Sequence, residues 1–351
     1  MPAPPSRLEL RAKHDAFLRL HSVTGLCELL DEDPLRVLRV SEQPEYREFK
    51  VPKKNGELRL IEDPAPELKS VLRQLNECLQ AVYYFYKSPA AFGFLTGCSD
   101  DPPELQRSIV GNARQHMGQA WMLNMDLEDF FHAVEDEQIA AIFLGEPFGF
   151  PAELARTLTL LCCYKGRLAM GAPTSPVLSN FAARRLDADL CALAEKRGWR
   201  YTRYADDMTF STNKEAISED DIALLKGYFE AHGFANNESK TKLMGPDVPH
   251  VVTGIVVGDN HLDLKDEFFS DLQREIRQYD ELRQVKGRLG ISLLDWVEDY
   301  DDRIRGMMEF ARQVVGQNDP RLRHLTRELH EAHQRKVVYA AFSWLDFPYP
   351  S

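Results

Sequence analysis

The stretch Tyr201-Thr202-Arg203-Tyr204-Ala205-Asp206-Asp207-Met208-Thr209-Phe210-Ser211 places two adjacent carboxylates between two runs of β-prone residues. Tyr, Thr, Phe and Met suit a pleated surface packed on one face, whereas Asp-Asp is poor strand material and tolerates a turn. The stretch therefore reads as a hairpin with acid at its tip. Side-by-side carboxylates repel, and a divalent metal is the natural partner for such a pair. Taken alone, an Asp-Asp dipeptide is most often a solvated turn. Its company changes that reading.

Upstream, Trp121-Met122-Leu123-Asn124-Met125-Asp126-Leu127-Glu128-Asp129-Phe130-Phe131 is an apolar run that ends on an acid. Residues 121–125 predict a buried strand with Asp126 where it leaves the sheet, the usual place for a ligand or catalytic side chain. Laid beside the hairpin, that strand brings Asp126 to Asp206 and Asp207 and makes a hard oxygen cluster suited to Mg²⁺. Two ions about 3.5 to 4 Å apart in such a cluster activate an attacking hydroxyl and steady a leaving pyrophosphate, the chemistry of nucleotidyl transfer.

These residues resemble the reverse transcriptases. Tyr204-Ala205-Asp206-Asp207 is similar to that family's signature box, and Asp126 with Phe130-Phe131 is similar to its first catalytic motif. Gly171-Ala172-Pro173-Thr174-Ser175-Pro176-Val177-Leu178-Ser179-Asn180 resembles the template-gripping motif between them, so three motifs stand in the family's order. Asn112-Ala113-Arg114-Gln115-His116 and Val252-Thr253-Gly254 resemble two elements of the bacterial retron branch. The resemblance runs from about Val51 to Val257 and more weakly to about Gly306.

It implies an α/β (α+β) right-hand polymerase: an N-terminal helical region over 1–48, fingers and palm over 49–257, and a helical thumb with a C-terminal tail over 258–351. It also implies an RNA-directed DNA polymerase that uses dNTPs and two Mg²⁺ ions, with Asp126, Asp206 and Asp207 as catalytic metal ligands. By the same resemblance the template is a cognate structured non-coding RNA. The product is then a short single-stranded DNA (msDNA) joined to that RNA through a 2′,5′ branch, and the setting is antiphage defence beside a separate effector protein.

Further site expectations come from the same resemblance. Arg59 matches the basic position that contacts the incoming triphosphate, where a guanidinium fork can pair with two phosphate oxygens; a solvated strand charge is the alternative. Phe131, five positions after Asp126, matches the aromatic gate beneath the incoming sugar, where a ring would collide with a ribose 2′-hydroxyl. One of Phe130 and Phe131 is expected to be core. Lys240 matches the basic residue near the departing pyrophosphate, with Lys242 competing for that role. Asn112, His116, Gly171, Pro173, Val252, Thr253 and Gly254 are expected at template or structured RNA, with capping and core packing the other reading of Asn112 and His116. Met170 stands where the family usually has Gln, which calls a side-chain hydrogen bond into question and leaves contacts through the backbone.

At 351 residues and 44% hydrophobic content, the chain is long enough to bury a sizeable core around one cleft. No apolar run reaches about 18 residues, and the amino terminus lacks a secretion-type apolar region, so a cytoplasmic protein is expected, with no membrane partner. The six cysteines, at 27, 78, 98, 162, 163 and 191, include no Cys-x-x-Cys pair and signal neither zinc nor disulfides. The net charge of -12 fits nucleic-acid binding least well, because neutralising phosphates takes basic surface. Acidic runs at 215–221 and 295–302 would have to lie outside while Lys and Arg line the cleft, unless the acid faces a basic partner protein.

Along the rest of the chain, leucine-rich helices packing on the fingers are expected over 1–48, one of them opened by Pro34. Two strands over 46–61 join through Lys53-Lys54-Asn55-Gly56, and 64–86 reads as a helix. Residues 98–107 are an insertion relative to the family, an acidic Pro-Pro loop expected on the surface. A helix over 222–232 ends at Gly233. From Leu264 the pattern is helical, with Lys286, Arg288, Arg303 and Arg305 either tracking a duplex backbone or lying on a solvated helix face. His324, His330 and His333 read as exposed helical histidines, and the aromatic tail Phe342 to Phe347 as a docking segment. Two rival readings stand beside this one: a defence-associated reverse transcriptase outside the retrons, and a catalytically idle RNA-binding protein on a polymerase scaffold.

Overall fold

The computed structural model describes residues 3–52, 56–102, 107–289 and 294–335, with side-chain surroundings described outside 284–298. Lys53, Lys54 and Asn55, positions 103–106 of the insertion and the tail Phe342 to Phe347 lie outside the described residues, as do the side chains of Lys286, Arg288 and Asp295. Two compact units divide after Thr253.

The first unit opens with α1 (Arg7–Leu18), α2 (Val23–Leu30) and α3 (Pro34–Glu42). Each has a side chain that satisfies free N–H groups of its first turn: Ser6 in a capping box with Glu9, then Ser22, then Asp33 ahead of Pro34. Between α3 and α4 (Pro66–Tyr86) the hairpin forms from β1 (Tyr46–Pro52) and β2 (Leu58–Pro64), with Val51 opposite Arg59. The inward faces of the first helices, Phe17, Leu26 and Val37, share one core with Leu68, Leu72 and Leu79 of α4. The amino-terminal helices are thus packed into the same core as α4 and do not stand apart from it.

The insertion is not a free surface loop. Arg7 donates its backbone N–H to Asp100 at 2.7 Å and its guanidinium pairs with Asp101 at 3.0 Å. The Tyr84 hydroxyl donates to Asp101 at 2.6 Å, the Ser99 N–H to the Pro5 carbonyl at 3.0 Å, and Cys98 is buried beside Leu10 and Ala81. The loop's acid is a clasp on the start of α1, made with partners far earlier in the chain.

After the clasp come α5 (Ile109–Arg114), β3 (Trp121–Asp126), α6 (Asp136–Leu144) and α7 (Ala152–Cys162), then the short pair β4 (Cys163–Tyr164) and β5 (Arg167–Leu168). Helices α8 (Ser175–Ala182) and α9 (Arg184–Arg197) lead to the hairpin β6 (Arg200–Tyr204) and β7 (Asp207–Thr212). The unit ends with α10 (Glu219–Ala231), β8 (Lys242–Met244) and β9 (His250–Val252). Strands β6, β7, β3 and β8 form one antiparallel sheet in that order, with Tyr204 opposite Asp207 and Asp207 opposite Asp126. Across the hairpin Tyr201 stacks on Phe210 with ring centroids 4.7 Å apart, a cross-strand pair that fixes the register. Leu123, Met125, Met208 and Phe210 bury one face of the sheet in the core they share with Leu186 and Leu190.

Helix α10 begins three residues before the expected start, because Ser218 and Asp221 form a capping box. Glu219, Asp220 and Asp221 lie in its first turn, where the helix dipole favours negative charge, so part of the 215–221 acid belongs to a helix start. All six cysteines are free, and Cys162 and Cys163 are buried as expected of core residues.

The second unit contains the antiparallel pair β10 (Ile255–Val257) and β11 (Leu262–Leu264), then α11 (Asp266–Leu289), α12 (Leu294–Val315) and α13 (Pro320–Gln334). Leu272, Ile276, Ile304, Met308, Leu325 and Leu329 are buried. Arg303 pairs with Glu275 at 2.5 Å and Arg305 with Asp301 at 2.6 Å, and both arginine side chains remain largely exposed. Exposed Arg323, Arg327 and His330 share one face of α13 and line a shallow depression with Arg312. No helix among the described residues is long and apolar enough to cross a membrane.

Candidate active site

Asp126 ends β3, and backbone bonds tie it to the acidic turn. The Leu127 N–H donates to the Asp206 carbonyl at 3.1 Å and the Asn237 N–H to the Asp126 carbonyl at 2.8 Å. Ala205, at φ 59, lets the chain reverse between β6 and β7. A left-handed alanine costs about 1 kcal/mol, so its surroundings must hold it there.

The Asp126 side chain is buried, and the Lys240 ammonium lies 2.8 Å from both of its oxygens. Lys242 sits in β8 opposite Asn124 with an exposed side chain, so of the two lysines it is Lys240 that reaches the cluster. Burial pulls the Lys240 ammonium down, but Asp126 outweighs it and holds the pKa above the usual value. Burial, then Asp126, push the Asp206 carboxyl up. Asp207 reaches solvent with its own atoms, yet the protein around it, then Asp206 and Asp126, push it up to about 7. These are carboxylates short of positive charge, and a divalent cation that prefers hard oxygens would relieve them. Among the described residues no three His, Cys, Asp or Glu side chains converge to enclose an ion by themselves. The ammonium of Lys240 holds the place beside Asp126.

The raised carboxyls set a pH dependence. Asp in the unfolded chain titrates near about 3.9, so this contribution to stability is full below that pH and is lost as pH rises through about 7. Melts of metal-free protein from roughly pH 5 to pH 8 should show wild type losing more stability than Asp207→Asn, with divalent metal restoring most at the upper end. A constant gap between the two proteins across that range would refute the shift.

Glu62 of β2 anchors the first hairpin. Fully buried, it accepts from Arg167 at 3.0 and 3.2 Å and from the Met170 N–H at 3.3 Å, and it faces His132 at 3.1 Å. Burial pushes this carboxyl up, but the Arg167 bonds prevail and hold it below the usual range. The Glu62 N–H also donates to the Met170 carbonyl at 2.8 Å, so Met170 engages through its backbone. At Gly171, φ 140, a Cβ would stand 2.6 Å from the Glu62 carbonyl oxygen. Pro173 is half-buried beside it, and exposed Arg59 lies close enough for its charge to draw the Asp206 carboxyl down. Phe130 is core, packed against Phe234 with centroids 5.6 Å apart, whereas Phe131 is half-buried and tilts against Phe94 at 5.7 Å.

Three expected RNA contacts are corrected by burial. Asn112, His116 and Val252 are 1%, 0% and 0% exposed, so none presents a side chain to RNA. The His116 ring instead bridges the two strands of the acidic hairpin, with Nδ1 2.6 Å from Ser211 Oγ and Nε2 2.7 Å from Thr202 Oγ1. Burial, then Arg200, lower its pKa to about 3, so the ring is neutral. Thr253 at φ 47 ends the first unit, and Gly254 at φ 86 is exposed.

Two further residues, Arg203 and Gly93, complete the site. Arg203, directly before Tyr204, is fully buried. Its sequence signal is a charge in the middle of a strand pattern. Residues 90–92 run along β6, with the Phe92 N–H donating to the Arg203 carbonyl at 2.8 Å and the Arg203 N–H to the Ala90 carbonyl at 2.7 Å. A Cβ on Gly93 would stand 2.7 Å from the Ala205 nitrogen.

Residues 51–257 match the family described as reverse transcriptase (RNA-dependent DNA polymerase). Retron Ec86 reverse transcriptase of Escherichia coli is 32% identical over 274 residues, 74% of this chain and 80% of that protein. Retron Mx65 reverse transcriptase of Myxococcus xanthus is 34% identical over 230 residues, 60% of this chain and 51% of that longer protein. Among solved structures, a telomerase from Candida albicans with a fragment of telomeric RNA overlays at a TM-score of 0.45 and 11% identity, covering 82% of this chain and 56% of the telomerase. The sequence matches and the pairing of Asp126 with Asp207 agree: the chain belongs to the reverse transcriptases, as a retron-type RNA-directed DNA polymerase.

Proposed function

We propose that this enzyme copies a cognate structured non-coding RNA into a short single-stranded DNA, using dNTPs and two Mg²⁺ ions held by Asp126, Asp206 and Asp207. The observation that carries the reading is the register of β3 against β7, which sets Asp126 beside Asp207 with Asp206 in the adjoining turn. When bound, the ions activate the primer hydroxyl and stabilise the pyrophosphate. Arg59 pairs with the triphosphate, and Lys240, freed from Asp126, neutralises or protonates the leaving group. Gly171 and Pro173 let a template backbone come close, and Gly254 and the arginine face of α13 are each offered to RNA phosphates. The division into helices over 1–48, fingers and palm over 49–257 and thumb over 258–351 is part of the same reading.

Phe131 is the gate against ribose. Phe131→Ala should lower the preference for dNTP over NTP by about 100-fold, read as single-nucleotide incorporation with each substrate. An unchanged preference would remove Phe131 from that role.

The resemblance to retrons implies a DNA joined to its RNA by a 2′,5′ branch and antiphage defence with a separate effector, and a cytoplasmic setting is part of the same proposal. The test is to express the gene with its natural flanking DNA, purify the protein, and assay bound nucleic acid for RNase and DNase sensitivity and for a debranchable linkage. A DNA covalently joined to one RNA, absent from the Asp206/Asp207 double variant, is the expected result. Unbranched DNA would point to a reverse transcriptase outside the retrons, and RNA alone to an idle binding protein.

A further inference from the structure

Arg203 is a fully buried charge with four hydrogen bonds to three partners. Nε and Nη2 donate to Oδ1 and Oδ2 of Asp187 on α9, at 2.8 and 2.7 Å. Nη1 donates to the Asn180 side-chain oxygen on α8 and to the Ala205 carbonyl oxygen, both at 3.0 Å. The brace extends further: the Tyr201 hydroxyl donates to Asp187 at 2.9 Å, and the Asn180 amide donates to the Gly93 carbonyl at 3.0 Å. Asp187 and Asn180 are as fully buried as Arg203.

Stability is a weak reason for such a pair, since well-packed apolar residues often replace a buried ion pair without loss. The informative bond is the one to Ala205. This carbonyl belongs to the peptide that joins Ala205 to Asp206, in a turn held left-handed without glycine. Nothing else on the guanidinium's other arms would require that contact. The two braces, Asp187 and Asn180, fix the guanidinium in position and direction, so the bond it makes is a fixed one.

We infer that Arg203 is a positioning residue for the metal carboxylates: braced by Asp187 and Asn180, it sets the 205–206 peptide and so the direction in which Asp206 and Asp207 present their oxygens. The inference rests on the reading of Asp126, Asp206 and Asp207 as metal ligands. It extends that reading to residues that touch neither metal nor substrate, as partners behind metal ligands commonly do.

The test compares three variants of the full chain by Mn²⁺ binding in electron paramagnetic resonance, by melting temperature and by steady-state dNTP incorporation. Arg203→Lys keeps the charge beside Asp187, but one ammonium cannot also reach Asn180 and Ala205 in the same geometry. The paired change Arg203→Met with Asp187→Leu removes the grip while leaving no unpaired charge, so it carries the comparison should Arg203→Lys fail to fold. Tyr201→Phe removes a bond to Asp187 and leaves the Ala205 bond in place.

The first two variants should bind Mn²⁺ about tenfold more weakly and lose about 100-fold in kcat, with KM for dNTP little changed. Tyr201→Phe should melt lower and bind Mn²⁺ as wild type does. A folded Arg203 variant with wild-type Mn²⁺ binding, or a Tyr201→Phe loss equal to that of Arg203→Lys, would overturn the inference. The metal reading itself fails separately, if wild type shows no Mn²⁺ binding that Asp206→Asn with Asp207→Asn abolishes, and the inference falls with it.

Discussion

The Asp206→Asn, Asp207→Asn double variant should incorporate dNTP about 10³-fold or more slowly than wild type, while melting no lower in metal-free buffer above about pH 7. The two effects have opposite signs for one reason. In the metal-free protein burial and the charge of Asp126 push both carboxyls up, with Asp206 adding to the rise at Asp207, so ionising them works against the fold. Amides of the same shape remove that repulsion and with it the ability to neutralise a cation. Rapid incorporation by the double variant would sink the metal assignment. A double variant that melts well below wild type at that pH would show that the carboxylates are structural.

Gly93→Ala should cost about 100-fold in kcat in a protein that still folds, because a methyl there displaces the turn that bears Asp206. Its Cβ would stand 2.7 Å from the Ala205 nitrogen and 3.2 Å from the Tyr204 carbonyl carbon, both backbone atoms that cannot swing aside as a side-chain tip can. The expected loss of stability is about 1 to 3 kcal/mol, the usual cost of overpacking. Gly97→Ala is the control, since its Cβ would meet Pro4 at an ordinary 3.6 Å. Steady-state rates and melts of the two variants separate local displacement from general damage. Wild-type rates for Gly93→Ala would mean that the turn shifts freely without harm to the chemistry.

The acidic trio is legible in sequence because its members lie at strand ends, where an apolar run stops on an acid, and because strand pairing alone brings Asp126 opposite Asp207. The same holds for Phe130 and Phe131, whose different burial follows from neighbours on one strand exit. What holds the trio is not legible. Arg203 finds Asp187 on the preceding helix, and His116 finds Thr202 and Ser211 on two strands far along the chain. A buried charge and a solvated one look alike until the fold supplies the surroundings: Arg203 is fully buried, whereas Arg303 and Arg305, paired with Glu275 and Asp301, stay largely exposed. The acid of 98–107 and of 215–221 does lie mostly at the surface, as it reads, but that Asp101 clasps Arg7 and that Glu219 to Asp221 open a helix depends on partners the pattern does not reveal.

The clasp between Arg7 and Asp100 bears on how the chain is made. Ninety-three residues separate the two partners, so at about 5 to 20 residues per second a ribosome completes Asp100 roughly 5 to 20 s after Arg7. For most of that interval the apolar side of α1, with Leu10 and Phe17, waits for its neighbours on α4, and to the end of it for those in the loop. Helix α1 is therefore made well before the loop that clasps it, and its apolar side is open to chaperones and proteases before the catalytic strands exist.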